Sequence, residues 1–180
     1  FVWRINSIVI FFPFVEYSSV KLMGVEAGVQ GLDSGKHASR FAKNSRLGII
    51  GAYKSMFLQD DDGQVLDTYS ISAGLDYAGI GPELAYLHDK GRIEFQHATD
   101  SQVLEAVKIL ATTEGIITAL ESSHYLAKLI EVTRQHRNIY KDKVIVVNIS
   151  GRGDKDIFIL TKALQDSEWK KFLQNEIKEI

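Results

Sequence analysis

The 180-residue chain contains no cysteine. That excludes a disulfide framework, a thiolate nucleophile and a zinc–thiolate site, and it suits a reducing compartment. An excess of one charge sign is lacking too: 21 Lys and Arg stand against 23 Asp and Glu, a net charge of -2. Such a balance gives no general attraction to nucleic acid or to an anionic membrane, and five histidines do not alter it. Long apolar runs are missing. The run Ile8–Val15 holds one of only two prolines and falls far short of the ~20 residues a spanning helix needs. A secretory leader would add a basic start and a small-residue cleavage site, of which only Arg4 is present. The expected partners therefore include neither nucleic acid nor membrane. No Walker-type phosphate loop and no Gly-x-Ser-x-Gly elbow is legible.

What remains is ordinary for a globular protein, with 45% hydrophobic and 24% charged residues and enough length for one domain with a sizeable core. The chain starts at Phe1 inside its most apolar stretch, which reads as a piece cut from something larger. Ser18–Ala27 alternates as a short strand does, and the glycine-dotted 28–45 reads as loop. Leu47–Leu58 is apolar and ambiguous, and Asp62-Gly63 marks a turn. Val65–Glu83 reads as a strand entering a loop with Gly74, Gly79 and Gly81, closed by Pro82. Gly91–Thr99 is another strand. Thr99 and Gln102 have capping-box spacing, followed by Val103, Leu104, Val107, Leu110 and Ala111 at helical period, with Gly115 to end the helix. A second helix is expected over 119–134. Val144–Ile149 has the near-continuous apolar character of a parallel strand covered on both faces. A helix follows from about Asp154, and a last one places Trp169, Phe172, Leu173, Ile177 and Ile180 on one stripe. The alternation predicts an α/β fold with a largely parallel sheet and flanking helices.

Three stretches carry the chemistry. In open parallel sheets ligands bind beyond the carboxyl ends of strands, and Ser150-Gly151-Arg152-Gly153-Asp154 sits at such an end. Its plain reading is a tight turn capped by Ser150 or Asp154. A functional reading gives Ser150 a hydrogen bond to a ligand and the glycines a close backbone approach. Glu121 and His124 share a helix face, in the Glu-x-x-His pattern of di-iron sites. Glu94–His97 repeats the spacing on a strand, where three residues' separation puts the side chains on opposite faces; a capping or solvated acid is the plainer role for Glu121. The glycine loop Ser72–Glu83 can turn carbonyls inward to hold a cation, or can be simply a long loop. Within it Asp76 is either a paired structural acid or a group that meets a ligand.

The strings "GVEAG", "SGKHA", "LQDDDGQV", "SISAGLDYAGIGPE", "AYLHDKGR", "TEGIITALESSHYLAKL" and "VVNISGRGDKDI" together resemble one family, the β chain of tryptophan synthase, from about Val20 to Phe158. The resemblance implies the C-terminal portion of a pyridoxal-phosphate enzyme of fold type II, a cytoplasmic carbon–oxygen lyase that condenses L-serine with indole to give L-tryptophan. It implies an α-chain partner that delivers indole, and a β-chain homodimer. Ser150 resembles the serine that meets the cofactor's pyridine nitrogen, with Gly151 beside it, and Glu121 resembles the acid next to the ring. Asp76 resembles the acid that contacts the substrate. The carbonyls of Leu75, Tyr77 and Gly79 resemble those that hold a monovalent cation, sodium or potassium.

Departures accompany the likeness. The family's cofactor-bearing lysine lies in a His-Lys-x-Asn motif that does not occur here; Lys36-His37 reverses it and Lys43-Asn44 lacks the rest. Where a Gly-Gly-Gly-Ser-Asn phosphate loop is expected, the chain reads "FVWRIN". The expectation is one partial domain over 1–180, with a truncated front edge at 1–17, a family-like core at 18–164 and a terminal helix at 165–180. The chain alone is expected to be inactive. The rival readings are a remnant that only folds or binds a partner, and an adhesive module using Arg152-Gly153-Asp154.

Overall fold

The computed structural model describes residues 2–42, 45–164 and 167–178, with the backbone alone at 2–6, 169, 172, 173 and 176. Lys43, Asn44, Ile180 and the side chains of Trp169, Phe172 and Leu173 thus lie outside the described residues.

Helix α1 (Val2–Phe11) carries the first apolar residues and passes into a 3-10 turn at Phe12–Phe14. Strand β1 (Leu22–Val29) lies parallel to β4 (Ile93–Thr99), with Leu22 opposite Ile93 and Ala27 opposite Ala98. Between them in sequence, β2 (Ser45–Ile50) and β3 (Tyr53–Leu58) form a separate antiparallel hairpin. Its turn, Gly51-Ala52, has positive φ at both residues, 54° and 66°. That geometry matches strand twist and strains the alanine. Helix α2 (Pro82–Asp89) starts on a proline whose fixed φ suits a first helical position. Helix α3 (Asp100–Glu114) has the expected capping box at Thr99 and Gln102 and ends on Gly115 at φ 70°. Helix α4 (Leu120–Gln135) is followed by the single turn α5 (Arg137–Tyr140). A 3-10 turn at Gly153–Asp156 leads into α6 (Ile157–Leu164), and α7 (Ser167–Lys178) closes the chain.

The parallel pair is covered on both faces, as its composition requires. Alternation sends Val25 and Ala98 to one side, against Val103, Ala106 and Val107 of α3, Leu120 and Ala127 of α4, and Leu160 of α6. It sends Leu22 and Ile93 to the other, against Phe11, Ile80, Leu84 and Ala85. The fold is thus mixed α/β with a parallel sheet and flanking helices. No helix among the described residues is long and apolar enough to cross a membrane.

Two expected strands are absent. Residues 65–73 form a loop that touches its surroundings at single points: Gln59 bridges Val65, and the Tyr69 amide donates to the His37 carbonyl. One backbone bond, from the Leu66 amide to the Leu58 carbonyl at 3.0 Å, ties it to the end of β3, and among the described residues it joins no ladder. Residues 144–149 join no strand ladder: among the described residues the parallel sheet pairs β1 with β4, and Val144 remains 93% exposed. Apolar composition expresses a strand only when a neighbour supplies the other half of each hydrogen bond.

Candidate functional site

Helix α4 has no side-chain cap of its own, since its N-cap residue is Ala119. The cap comes from 36 residues downstream: buried Asp156 accepts a 2.9 Å hydrogen bond from the Leu120 amide at Oδ2. A carboxylate there satisfies an orphan donor and complements the positive end of the helix dipole. Lys155 places its Nζ 2.6 Å from Asp156 Oδ1 and 2.9 Å from Glu121 Oε2. One ammonium thus bridges two buried acids at the start of α4. Burial works against the charge on Lys155, but Asp156 and Glu121 hold its pKa above the ordinary lysine value. Burial likewise opposes ionisation of Glu121, yet Lys155, with help from backbone and the Ser72 hydroxyl, holds it below the usual carboxylate range.

These groups draw two loops to one point. Glu121 Oε1 accepts the Gly74 amide at 3.0 Å. A Cβ on Gly74 would lie 2.5 Å from that same oxygen, so only glycine allows the approach. Next along the helix, the Ser122 hydroxyl donates to the Ser150 carbonyl at 2.6 Å and accepts the Ser150 amide at 3.0 Å. The Gly153 amide donates to the Ile117 carbonyl at 3.1 Å, and a Cβ there would meet Ile117 and Thr118 backbone oxygens at 2.6 and 2.8 Å. Loops 72–79 and 150–156 are therefore both buttoned to the first turn of α4.

One turn deeper, His124 is wholly buried. Its Nδ1 faces the Leu120 carbonyl at 2.8 Å, and a carbonyl can only accept, so Nδ1 carries the proton and Nε2 is the acceptor. Burial pushes its pKa down to about 4.

A second buried cluster stands beside the glycine loop. Glu26, in the middle of β1, accepts the Arg40 and Phe41 amides at 3.0 and 3.1 Å and the Ser39 hydroxyl at 3.0 Å. The Arg40 Nε lies 2.9 Å from Glu26 Oε1, the two side chains being 7% and 2% exposed. From that anchor, Arg40 Nη1 donates to the carbonyls of Leu75 and Tyr77 at 2.9 and 3.3 Å.

No protein-family model matches the chain. A tryptophan synthase beta chain of Helicobacter hepaticus is 53% identical over 176 residues, which is 97% of this chain and 41% of the relative. Tryptophan synthase beta chain 1 of Chlamydia caviae is 50% identical over 152 residues, 84% of this chain and 36% of the relative. The chain belongs to the tryptophan synthase β-chain family. It spans about two fifths of the length of the curated relatives it matches.

Within this tryptophan synthase β-type chain, the sequence-predicted residues fall as follows. Glu121 and Ser150 meet at the start of α4, one through its carboxylate and the other through its backbone. Gly151 adjoins them at φ 75°. Asp76 is exposed on the loop that Glu121 holds through Gly74. Leu75 and Tyr77 turn their carbonyls to Arg40. Gly79 is buried, its backbone bridged to Phe57. Arg152 and Asp154 pair with each other on the surface at 3.2 Å. Arg40, Glu26, Ser122, Lys155 and Asp156 escaped the sequence reading. Two signals were available: a carboxylate inside the apolar strand Val25-Glu26-Ala27 demands a partner, and the alanine before α4 demands a cap from elsewhere.

Proposed function

We propose that this chain forms the cofactor-ring and substrate-facing part of a tryptophan synthase β chain. When bound, pyridoxal phosphate would supply the electron sink that lets L-serine lose its β-hydroxyl as water while indole C3 bonds to the β-carbon. The observation that carries the reading is the double clasp of Ser150 by Ser122, one residue along the helix from Glu121. It fixes the serine loop beside the acid, where a neutral hydroxyl would hold the cofactor's ring nitrogen and leave it largely unprotonated. The residues fit that edge of the cofactor: a hydroxyl, a glycine with freedom of approach at Gly151, and an ionised carboxylate held by Lys155. Asp76, exposed on the loop anchored by Gly74, would contact the substrate. No His-Lys-x-Asn motif lies within the 180 residues, so the chain by itself would not link the cofactor covalently. An α chain delivering indole, pairing of β chains and a cytoplasmic setting belong to the same proposal.

A chimera tests it: the aligned segment of the Helicobacter hepaticus relative is replaced by this chain, and tryptophan formed from serine and indole is measured. Activity is expected, with Ser150→Asp shifting the cofactor's absorbance by protonating its ring nitrogen. A folded, cofactor-loaded chimera whose spectrum ignores Ser150→Asp would refute the assignment. Borohydride treatment of the chain alone with cofactor should label no specific lysine.

A further inference from the structure

The resemblance predicts a sodium or potassium ion on the carbonyls of Leu75, Tyr77 and Gly79. The first two of those oxygens already face a positive charge. Arg40 Nη1 donates to the Leu75 carbonyl at 2.9 Å and to the Tyr77 carbonyl at 3.3 Å. Nor is this a surface arginine passing by. Its side chain is 7% exposed, its Nε lies 2.9 Å from buried Glu26, and Glu26 in turn binds the backbone amides of Arg40 and Phe41. The position of the guanidinium is therefore set from β1, and Arg40 meets Leu75 across 35 residues of sequence. A free cation sharing these two oxygens would stand against the guanidinium at hydrogen-bond range, where like charges repel strongly in a partly desolvated site. Glu26 meanwhile supplies the counter-charge, so the pair enters the fold neutral.

We propose that Arg40, held by Glu26, is a built-in replacement for the monovalent cation, and that the glycine loop 74–79 of this chain keeps its shape without sodium or potassium. The inference rests on reading that loop as the family's cation loop. It does not rest on cofactor binding, so its test can be run on the 180-residue chain without the cofactor.

Thermal unfolding is followed in chlorides of sodium, potassium, caesium and tetramethylammonium at one ionic strength. The native chain should give superimposable curves. The double variant Glu26→Gln/Arg40→Met removes both charges together, so no buried ion is stranded. Its midpoint should be higher in sodium or potassium than in tetramethylammonium by about 3 °C or more, as expected when a ligand binds the folded state alone. Line broadening of the sodium-23 resonance, titrated with the native chain, gives a reading that needs no variant, and no saturable broadening is expected. Saturable broadening relieved by potassium, or a native midpoint that rises with sodium or potassium alone, would overturn the proposal. So would a folded double variant indifferent to the cation, because the carbonyls would then have no need of a positive charge.

Discussion

Acid should weaken this fold before it protonates most carboxylates, and His124 is the reason. The imidazole is wholly buried, with its Nδ1 proton committed to the Leu120 carbonyl at 2.8 Å. Its pKa falls from an ordinary 6.5 to about 4 because burial disfavours the charged ring. Glu121 favours the charged form and Arg40 opposes it, but both are smaller effects than desolvation. The sign follows from proton counting. Between pH 6.5 and 4 the unfolded chain binds a proton that the folded chain refuses, so stability is full above that window and is lost as pH falls through it. With 1.36 kcal/mol per pKa unit, moving from pH 7 to pH 5 removes about 2 kcal/mol, and full traversal about 3 kcal/mol. His37 and His97 are shifted down by burial as well and act in the same direction. Urea unfolding at pH 7, 6 and 5 measures the total. The same series on His124→Gln, whose amide can still donate toward Leu120, isolates this ring: its slope against pH should be shallower by about 1 kcal/mol per pH unit near pH 5. Parallel slopes for the two proteins would show that His124 does not titrate in this way.

Two further outcomes bear on the loops at α4. Ser122→Ala removes both hydrogen bonds that the Ser122 hydroxyl makes to the Ser150 backbone and should cost about 2 kcal/mol, with faster hydrogen exchange at the Ser150 amide; unchanged exchange would contradict the clasp. Gly153→Ala drives a Cβ into the Ile117 and Thr118 carbonyls, which cannot swing aside as side chains do, and should cost about 1–3 kcal/mol, or a melting point lower by roughly 2–12 °C. A melt unchanged from the parent would refute the contact.

The parts of the fold legible in the sequence were those whose signals are local. The capping box at Thr99 and Gln102, the glycine ending α3, and the period of α3 and α4 each act within a few residues, and each occurs in the structure. The strand reading of 18–27 and 91–99 was legible in the same local way, from alternation in the first and from the polar–apolar order of Ile93, Glu94, Phe95 and Gln96 in the second, whose Glu94 and Gln96 are exposed while Ile93 is buried. Val144–Ile149 misled because composition reports what a segment would bury, not whether a neighbour exists to pair with it. Helix α2 was passed over although Pro82 suits a first helical position, since the glycines before it read as loop. At the candidate site, Glu121 and Ser150 were visible as residue types beside glycines. Their supports were not, because Asp156 caps a helix 36 residues away and Glu26 reaches forward to Arg40 across 14. Such long-range polar pairs leave no periodic trace; only the cost of burying a lone charge hints at them.

The exposed valines of the run 144–149 have a practical consequence. A β-branched stretch outside any strand, with Val144 93% and Val146 75% exposed, is a ready template for a second copy of itself, since stacking two such segments covers oily surface. Handling of the purified chain should therefore be governed by concentration: dilute samples stay dispersed, whereas crowded ones zip edge to edge into sheets that no longer dissolve.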